Sequence, residues 1–168
     1  MTTARNPLVW LLDRRAARRL RSSFVWVTPQ LVQGPHFASR HARLIAAMGI
    51  ESVLDLRAEG ERDPARLDAA RLRHHRLPME EFAPPTLAQI TDGTAWALGE
   101  MAAGRAVLVH CRLGMSRSVC MACAILIAEG HSFEAALRTV RAVRPSARLT
   151  SDQLDCLAKF ADHGAADA

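Results

Sequence analysis

A cysteine and an arginine separated by five residues are the pair in this sequence best suited to chemistry. Cys111 and Arg117 lie in the stretch VLVHCRLGMSRS, where a short loop joins an apolar run to a helix-like segment. Such a loop can turn its backbone N–H groups toward an anion, and the helix N-terminus adds partial positive charge. The planar guanidinium of arginine matches two oxygens of a phosphate. We therefore expect a tetrahedral dianion to bind to these loop residues: Arg112, Leu113, Gly114, Met115, Ser116 and Arg117.

Cys111 would lie at the base of this loop and act as a nucleophile. A free thiol has a pKa of about 8.5, and a helix N-terminus or a nearby cation lowers that value. We expect a thiolate that attacks the bound phosphorus and forms a phosphocysteine, while the loop stabilises charge on the equatorial oxygens. A single buried cysteine is more often just a small apolar residue. The combination of His110, Cys111, Arg117 and Ser118 at one strand-to-helix junction favours phosphate chemistry instead.

The pattern of apolar residues predicts an α/β fold around this loop. RAVLVH is typical of a buried strand and SRSVCMACAILIAEG of a buried helix. Strands that alternate with helices indicate a central, mostly parallel sheet of four to five strands with helices on both faces. Ligands in such sheets bind beyond the carboxyl ends of the strands, where residues 110–118 would lie. The other predicted strands are FVWV, QLVQG, ESVLDLR and HHRLPM, and the other predicted helices are residues 38–48, LAQITDGTAWALGEMAA, FEAALRTVRAVRP and TSDQLDCLAKFADH.

Two units are predicted, a basic helical extension over residues 1–21 and a single catalytic domain over residues 22–168. Asn6 and Pro7 are typical of a helix start. A helix that packs on its own domain with a solvated basic face is favoured, while contact with a membrane surface or a partner stays open. Asp13 argues against a mitochondrial presequence. The basic face would carry Arg14, Arg15, Arg18, Arg19 and Arg21.

Composition and charge limit the possible partners. The 168 residues are 49% apolar and 23% charged, which is typical of one globular domain, and no segment has the ~18 continuous apolar residues of a membrane span. We expect no signal peptide, because Leu8–Leu12 is short and the basic cluster follows it. The net charge of +5 favours an anionic partner. The chain has no tyrosine and few phenylalanines to stack on bases, so we do not expect nucleic acid.

The cysteines indicate a reducing compartment rather than a disulfide scaffold. They are clustered late in the chain and do not frame loops. Cys120 and Cys123 form a CxxC inside the apolar run VCMACAILIA, without a second pair, which makes a zinc site improbable. We expect free thiols, a cytoplasmic location, no metal and no cofactor. The four cysteines are Cys111, Cys120, Cys123 and Cys156.

HCRLGMSRS resembles the HCxxGxxR signature, followed by Ser or Thr, of the cysteine-dependent protein tyrosine phosphatase superfamily. FVWV, GIESVLDLR, LPMEEFAPPTLAQ and RPSARLTSDQ resemble segments of its compact atypical dual-specificity members, so the resemblance covers about residues 24–160. The resemblance implies a phosphatase-type phosphate-binding loop and hydrolysis of a phosphomonoester on a phosphorylated protein. The mitochondrial-type lipid phosphatases are a second similar branch. One additional cation in the loop, Arg112, allows lipid headgroups without favouring them. The short segment before Glu80 predicts a shallow pocket that accepts phosphotyrosine and, with less discrimination, phosphoserine or phosphothreonine, so we predict that phosphotyrosine peptides are preferred over phosphoinositides.

The resemblance also implies roles for single residues. His110 would orient the loop and influence the thiolate, and Ser118 would donate a hydrogen bond to the sulfur as it leaves phosphocysteine. Gln153 matches a glutamine that positions the hydrolytic water in relatives, although it could instead be an ordinary exposed helix residue. Asp55 and Arg57, at the end of a strand, are expected to support the loop structurally.

The general acid is the position where this chain departs from the family pattern. The family uses an aspartate on a mobile loop to protonate the leaving oxygen, but the chain has no aspartate between Asp68 and Asp92. Glu80 and Glu81 stand at the matching place, and we predict Glu81, because Phe-Ala-Pro-Pro follows it as in the family's Asp-Phe-x-x-Pro. Asp92 is a more distant alternative.

Two other classes of function stay open at this point. A phosphate-binding pseudophosphatase would keep the loop and lose turnover, and the missing aspartate favours it slightly. A rhodanese-like sulfur transferase also surrounds a cysteine with backbone N–H groups, but it does not require the Arg-Ser pair at this spacing.

Overall fold

The computed structural model describes residues 14–15, 18–60 and 63–166, except for the side chains of residues 163–166. The strands are β1 (Val25–Trp26), β2 (Leu31–Gly34), β3 (Ser52–Arg57), β4 (Arg73–Met79) and β5 (Val107–His110). The α-helices, numbered after residue 23, are α1 (Ala42–Ala46), α2 (Pro64–Ala69), α3 (Leu87–Ala102), α4 (Arg117–Ala128), α5 (Phe133–Val143) and α6 (Ser151–Ala166).

The strands form one five-stranded sheet in the order β1-β2-β5-β3-β4. β1 is antiparallel to β2 at the edge, and the pairs β2–β5, β5–β3 and β3–β4 are parallel. The register places Gly34 and Asp55 on either side of His110, so β2 and β5 end together at the beginning of the loop that contains Cys111, and β3 continues two residues further to Arg57. The predicted α/β fold with a mostly parallel sheet is confirmed.

Alternating side chains divide the core between the two faces of the sheet. Successive residues of a strand point to opposite faces. Leu31, Leu54 and Val107 belong to the core cluster that includes α4, whereas their neighbours belong to the cluster that includes α1 and α2. Both faces are therefore covered, which explains why β2, β3 and β5 are buried along their whole length. The neighbours on the second face are Val32, Val53 and Leu108.

Two of the predicted helices begin at residues that cap them with a side-chain hydrogen bond. Thr86 and Gln89 make a reciprocal capping box at the start of α3, and the Ser132 side chain accepts a hydrogen bond from the backbone N–H of Ala135 at the start of α5. Residues 118–127 of α4 are buried throughout, because α3, α5, α6 and the sheet pack around this helix.

Two segments differ from the prediction. The helix expected over residues 38–48 is shorter: a 3₁₀ turn over Ser39–His41 leads into α1, which ends at Ala46. The charged segment after β3 contains a short helix that was not predicted, α2. The carboxylate of Asp63 accepts a hydrogen bond from the backbone N–H of Arg66, and Pro64 occupies the first turn. Local capping therefore forms a helix where only Leu67 contributes a buried side chain.

The predicted helix start at Asn6 and Pro7 lies outside the described residues. Residues 14–15 and 18–23 are helical, so this helix continues two residues past the predicted boundary at residue 21. Leu20 is partly buried and packs against the core cluster on the α1 side. Of the helices in the described ranges, none is sufficiently long and apolar to cross a bilayer.

Glu100 of α3 connects three elements through one buried carboxylate. It is only 4% exposed. It accepts hydrogen bonds from Ser52 Oγ at 2.6 Å, Arg73 Nε at 2.8 Å and Arg105 Nε at 2.6 Å. Burial raises the pKa of Glu100, but the hydrogen bonds from Arg105, Ser52 and Arg73 outweigh it and lower the pKa to about 2. The sequence analysis did not single out this residue.

We predict that Glu100→Gln destabilises the protein by about 2 kcal/mol, because charge-assisted hydrogen bonds are replaced by weaker ones and one amide N–H₂ faces two guanidinium groups. Urea unfolding at pH 7 measures the change. Glu129→Gln is the matched control, since Glu129 is exposed at the end of α4. Equal stability of the two variants would contradict the structural role of Glu100.

Candidate active site

Cys111 lies where the carboxyl end of β5 leads into the loop of residues 111–117, and the Cys111 side chain is only 2% exposed. Its Sγ atom lies 3.2 Å from Ser118 Oγ and accepts a hydrogen bond from the backbone N–H of Gly114 at 3.3 Å. A backbone amide and a hydroxyl from the first turn of α4 thus face one sulfur. This is the environment that stabilises negative charge on a thiol.

Gly114 gives the loop its shape. Its φ angle of 68° lies in the left-handed region that favours glycine. A Cβ atom at this position would come within 2.6 Å of the backbone nitrogen of Pro35 and 2.7 Å of the carbonyl carbon of Gly34. The 111–117 loop can therefore pack against the end of β2 only because residue 114 has no side chain.

Arg117 is the most unusual buried group in the site, because its side chain is 1% exposed. Its Nη1 donates to Glu59 Oε2 at 2.8 Å and to the carbonyl of Met79 at 2.9 Å, and its Nη2 donates to Glu59 Oε1 at 2.8 Å. Among the described residues, none accepts a hydrogen bond from its Nε. The Nε–H and the second Nη2–H lie on one edge of the guanidinium and stay available for two oxygens of a ligand.

Glu59 was not anticipated from the sequence. The hydrogen bond from Arg117 lowers its pKa to about 2, and it is therefore ionised at neutral pH. Glu59 follows β3 and lies 58 positions before its partner, so no local pattern connects them. The signal available was indirect: a buried arginine requires a carboxylate.

The structure brings Glu81 to the site. Glu81 Oε1 lies 3.8 Å from Arg117 Nη2, and its Oε2 lies 3.9 Å from Arg112 Nη1. Both distances are ion-pair distances rather than hydrogen bonds, and the carboxylate is 31% exposed. Glu80 is exposed, and Asp92 lies on α3, where it contacts the ring of His75 at 3.0 Å. Of the three carboxylates considered, Glu81 is the one placed against Arg117, and its role as an acid stays a prediction.

Gln153 is fully buried, so the alternative of an ordinary exposed helix residue is wrong. Its Oε1 accepts hydrogen bonds from Ser116 Oγ at 2.9 Å and from the backbone N–H of Thr150 at 3.2 Å. Its Nε2 donates to the carbonyl of Ala83 at 3.0 Å. The amide thus connects the 111–117 loop to the segment after Glu81. Its role in positioning water stays a prediction.

A cavity of about 120 Å³ opens above the sulfur. Two large apolar side chains at this cavity, Phe82 and Leu113, are each 54% exposed. Phe82 has a φ angle of 63°, which is strained for a side chain of this size. Apolar walls beside a cationic base suit a phosphate on an apolar or aromatic carrier. The other lining residues are Glu81, Cys111, Met115, Ser116, Arg117 and Arg148.

His110 points to the opposite face of the sheet from Cys111. Burial lowers the pKa of His110 to about 4, although the nearby Asp55 opposes the shift, so the ring is neutral at pH 7. Its Nε2 lies 3.7 Å from Asp55 Oδ1, and Asp55 binds Arg57 through both carboxylate oxygens at 2.8–2.9 Å. The expected support from Asp55 and Arg57 therefore reaches the loop through His110. His110 contributes no positive charge at pH 7, and its role in orienting the loop stays a prediction.

The remaining cysteines lie on helices. Cys120 and Cys123 are fully buried in α4, and Cys156 is partly buried in α6. Burial raises the pKa of Cys120, and it raises the pKa of Cys123 to about 12. These thiols stay protonated at neutral pH and serve as packing residues.

The chain is similar in sequence to proteins that are already known. The model of the family described as "Polymorphic toxin system, DSP-PTPase phosphatase" matches residues 34–131. The human protein "Phosphatidylglycerophosphatase and protein-tyrosine phosphatase 1" is 31% identical over 136 residues, which cover 80% of this chain and 64% of the human protein. The chain therefore spans less than two thirds of the length of this relative. The mouse protein of the same name is 38% identical over 77 residues, which cover 45% of this chain and 40% of the mouse protein.

Solved structures share the fold. The crystal structure of PTPMT1 in complex with PI(5)P superposes with a TM-score of 0.78 at 24% identity and covers 86% of this chain and 97% of that chain. Human DUSP28 superposes with a TM-score of 0.73 at 25% identity and covers 84% of this chain and 98% of that chain.

The buried neutral His110 makes stability depend on pH. The unfolded chain binds a proton at His110 below about pH 6.5, whereas the folded chain binds it only near pH 4, so lowering the pH between these values favours unfolding by up to about 3 kcal/mol. Urea unfolding at intervals from pH 7 to pH 4.5 measures the slope. We expect His110→Asn to flatten most of the slope above about pH 5.5, where the smaller contribution of His36, whose pKa burial also lowers, remains. Closer to pH 4.5 the lowered pKa values of Glu59 and Glu100 also contribute in both proteins, because the unfolded chain begins to bind protons at these carboxylates. An unchanged slope in His110→Asn would show that other groups cause it.

Proposed function

The chain belongs to the DSP-PTPase phosphatase family described for polymorphic toxin systems, and from this premise we propose that it hydrolyses phosphomonoesters through a covalent intermediate on Cys111. The observation that carries the proposal is that Arg117, whose Nε–H has no acceptor among the described residues, lines the same cavity as Cys111. Two parallel N–H donors match two phosphate oxygens, and the third side of the phosphorus then faces the nucleophile.

In the first step, Arg117 and the amides of the 111–117 loop hold the phosphate, and the sulfur of Cys111 attacks phosphorus. The S–P bond forms as the bond between phosphorus and the substrate oxygen breaks. Glu81 gives its proton to the departing oxygen, which would otherwise leave as a costly anion. The cations and amides that bind the ground state also stabilise the equatorial oxygens in the transition state.

In the second step, water attacks the phosphocysteine. Glu81, now a carboxylate, accepts a proton from the water as the new O–P bond forms and the P–S bond breaks. The hydroxyl of Ser118, 3.2 Å from the sulfur, donates a hydrogen bond to the departing thiolate. Gln153 lies between the loop and the segment after Glu81, where it can keep the two at a fixed distance.

We propose phosphotyrosine on a protein as the preferred substrate. Phe82 and Leu113 provide exposed apolar surfaces at the mouth of the cavity, which suit the two faces of a phenyl ring. Besides Arg117, the cations at this cavity are Arg148, in its lining, and Arg112, which already lies 3.9 Å from the Glu81 carboxylate, and this is a small set for a polyanionic headgroup. A phospholipid phosphate is the second candidate, because the human relative is named as both a phosphatidylglycerophosphatase and a protein-tyrosine phosphatase.

A cytoplasmic location is part of the proposal. A reactive thiol stays reduced only where thiol reductants are present. All four cysteines are free in the structure. Fractionation of cells that express the full chain tests the location.

A substrate panel tests the function. We expect the purified protein to hydrolyse phosphotyrosine peptides at least tenfold faster than phosphatidylinositol 5-phosphate or phosphatidylglycerophosphate in mixed micelles, because an aryl ring fills the apolar mouth and phenolate is the better leaving group. Released phosphate is the measurement. Cys111→Ser must abolish turnover on every substrate. If the wild type and Cys111→Ser hydrolyse para-nitrophenyl phosphate equally poorly, the chain is a phosphate-binding protein rather than an enzyme. If the wild type hydrolyses the phospholipids faster than the phosphotyrosine peptides, it is a lipid phosphatase.

The leaving group tests the general acid. We expect Glu81→Gln to slow turnover of phosphoserine peptides about a hundredfold and of para-nitrophenyl phosphate much less, because a nitrophenolate hardly needs protonation. The measurement is kcat on both substrates. Glu80→Gln is the matched control and should leave both unchanged. If Glu80→Gln shows the selective loss instead, the acid is the neighbouring carboxylate.

A further inference from the structure

We propose that Gln33, held by Arg144, is a positioning residue that forces the hydroxyl of Ser118 to donate its proton to the Cys111 sulfur. The inference rests on the proposed function, since it assigns the control of the nucleophile in that reaction. Gln33 lies on β2, far from the 111–117 loop in sequence and fully buried beside it in space.

Gln33 is a polar residue at a position where an apolar one would suffice for packing. Side chains alternate along β2, and Gln33 shares a face with Leu31, whose side chain is in the core around α4. The register pairs Gln33 with Val109, two residues before Cys111. A buried amide stabilises such a position only when its donors and acceptor are satisfied. The contacts of Gln33 meet this condition on both ends of the amide.

The nitrogen of the amide bridges two groups near the sulfur. Gln33 Nε2 donates to the carbonyl of Gly114 at 2.9 Å and to Ser118 Oγ at 2.6 Å. These two bonds use both hydrogens of the amide nitrogen.

Arg144 fixes which end of the amide faces the sulfur. Arg144 Nε donates to Gln33 Oε1 at 2.7 Å, and its Nη2 donates to the backbone carbonyls of Ser23 at 2.6 Å and Gln33 at 3.2 Å. A guanidinium has no acceptor, so the flipped amide would place its N–H₂ group against N–H donors and lose this bond. The amide oxygen must face Arg144, and the amide nitrogen must face Ser118.

The orientation of the Ser118 hydroxyl follows. Because Ser118 Oγ accepts a hydrogen bond from Gln33, its own proton is free to be donated elsewhere. A hydroxyl in the first turn of a helix can donate to the carbonyl four residues earlier, which here belongs to Gly114, but that carbonyl accepts from Gln33, and the contacts of Ser118 Oγ among the described residues are with Gln33 Nε2 and the Cys111 sulfur. The Cys111 sulfur at 3.2 Å is then the acceptor that the proton reaches.

The hydrogen bonds that run from Arg144 through Gln33 to Ser118 also make the electrostatic potential at the sulfur more positive. Each hydrogen bond polarises the next one, so the cation at Arg144 strengthens the donor character of Ser118. Burial lowers the pKa of Arg144, and negative charge at Cys111 opposes that shift, which places the two groups within electrostatic reach. Gln33 and Arg144 therefore act on the chemistry through Ser118, without contact with the substrate.

The test uses the reactivity of Cys111, which needs no turnover. The full chain is alkylated with iodoacetamide at pH 6.5, and the rate at Cys111 is followed by mass spectrometry. We expect Gln33→Leu to slow alkylation about tenfold, as the loss of one hydrogen bond to an ionised group predicts. Breakdown of the phosphoenzyme, measured by rapid quench with para-nitrophenyl phosphate, should slow by a similar factor.

Gln30→Leu is the matched control. Gln30 lies just before β2, and its Nε2 donates to the backbone carbonyl of Met101 at 2.8 Å, at the opposite end of the sheet from Cys111. The same substitution there removes a partly buried amide hydrogen bond and should leave the alkylation rate within about twofold of wild type.

A double-mutant comparison separates positioning from packing. In a Ser118→Ala background, Gln33→Leu should slow the alkylation of Cys111 no more than Gln30→Leu does, because the hydroxyl that Gln33 orients is absent. If Gln33→Leu does not fold, Gln33→Met takes its place, because methionine keeps the length of the side chain, cannot donate to Ser118 and adds no charge near the sulfur. The decrease in the alkylation rate that this replacement causes must also be smaller in the Ser118→Ala background.

Two outcomes overturn the proposal. The first is an alkylation rate in Gln33→Leu equal to that in Gln30→Leu, and the second is an equal decrease in the alkylation rate on Gln33→Leu substitution in the wild-type and Ser118→Ala backgrounds. If the wild type fails to turn over any phosphomonoester while Gln33→Leu still slows alkylation, the proposed function fails and the positioning role stands.

Discussion

A guanidinium buried at the head of α4 is the constraint on which the site depends. Arg117 is 1% exposed, and an unpaired charge in such a place costs several kcal/mol. The end of β4 supplies a carbonyl and the loop after β3 supplies a carboxylate, so two other elements must be in place before the 111–117 loop is stable. Their contacts use three of the five N–H donors. In the proposed function, an oxyanion accepts hydrogen bonds from the N–H donors on the remaining edge of the guanidinium. A bound phosphate would then supply the acceptors that the protein does not.

The parts of this arrangement that the sequence predicted are the local ones. Cys111 and Arg117 are connected by a short loop, and the apolar run before Cys111 must be a buried strand, so the spacing alone places a thiol and a guanidinium at one helix start. Thr86 and Ser132 start two helices in an equally local way, since each side chain accepts a hydrogen bond from a backbone N–H three residues later. Alternating strands and helices then sufficed for a mostly parallel sheet.

The parts that the sequence did not predict depend on long-range contacts between polar residues. Glu59 meets Arg117 across 58 positions, and Gln33 meets Arg144 across 111. A glutamine in a short strand looks like a solvated residue until the fold buries it. A glutamate in a charged loop gives no sign of its partner until the fold brings Arg117 to it. Gln153 is the intermediate case, because the family resemblance singled it out but its complete burial followed only from the packing of α6.

Exposure to solvent decides how the charges of the site act on a substrate. The imidazole of His110 is neutral, so the attraction for a dianion comes from amides and guanidiniums. Glu59 neutralises Arg117 formally, but its side chain is 41% exposed, whereas that of Arg117 is 1% exposed. Water screens the carboxylate on the outside of the pair, and the guanidinium faces the cavity in a medium of low dielectric constant. The electrostatic potential of the pair is therefore nearly neutral on the solvent side and positive at the sulfur. This arrangement stabilises the buried cation in the fold and leaves its charge available to bind a phosphate.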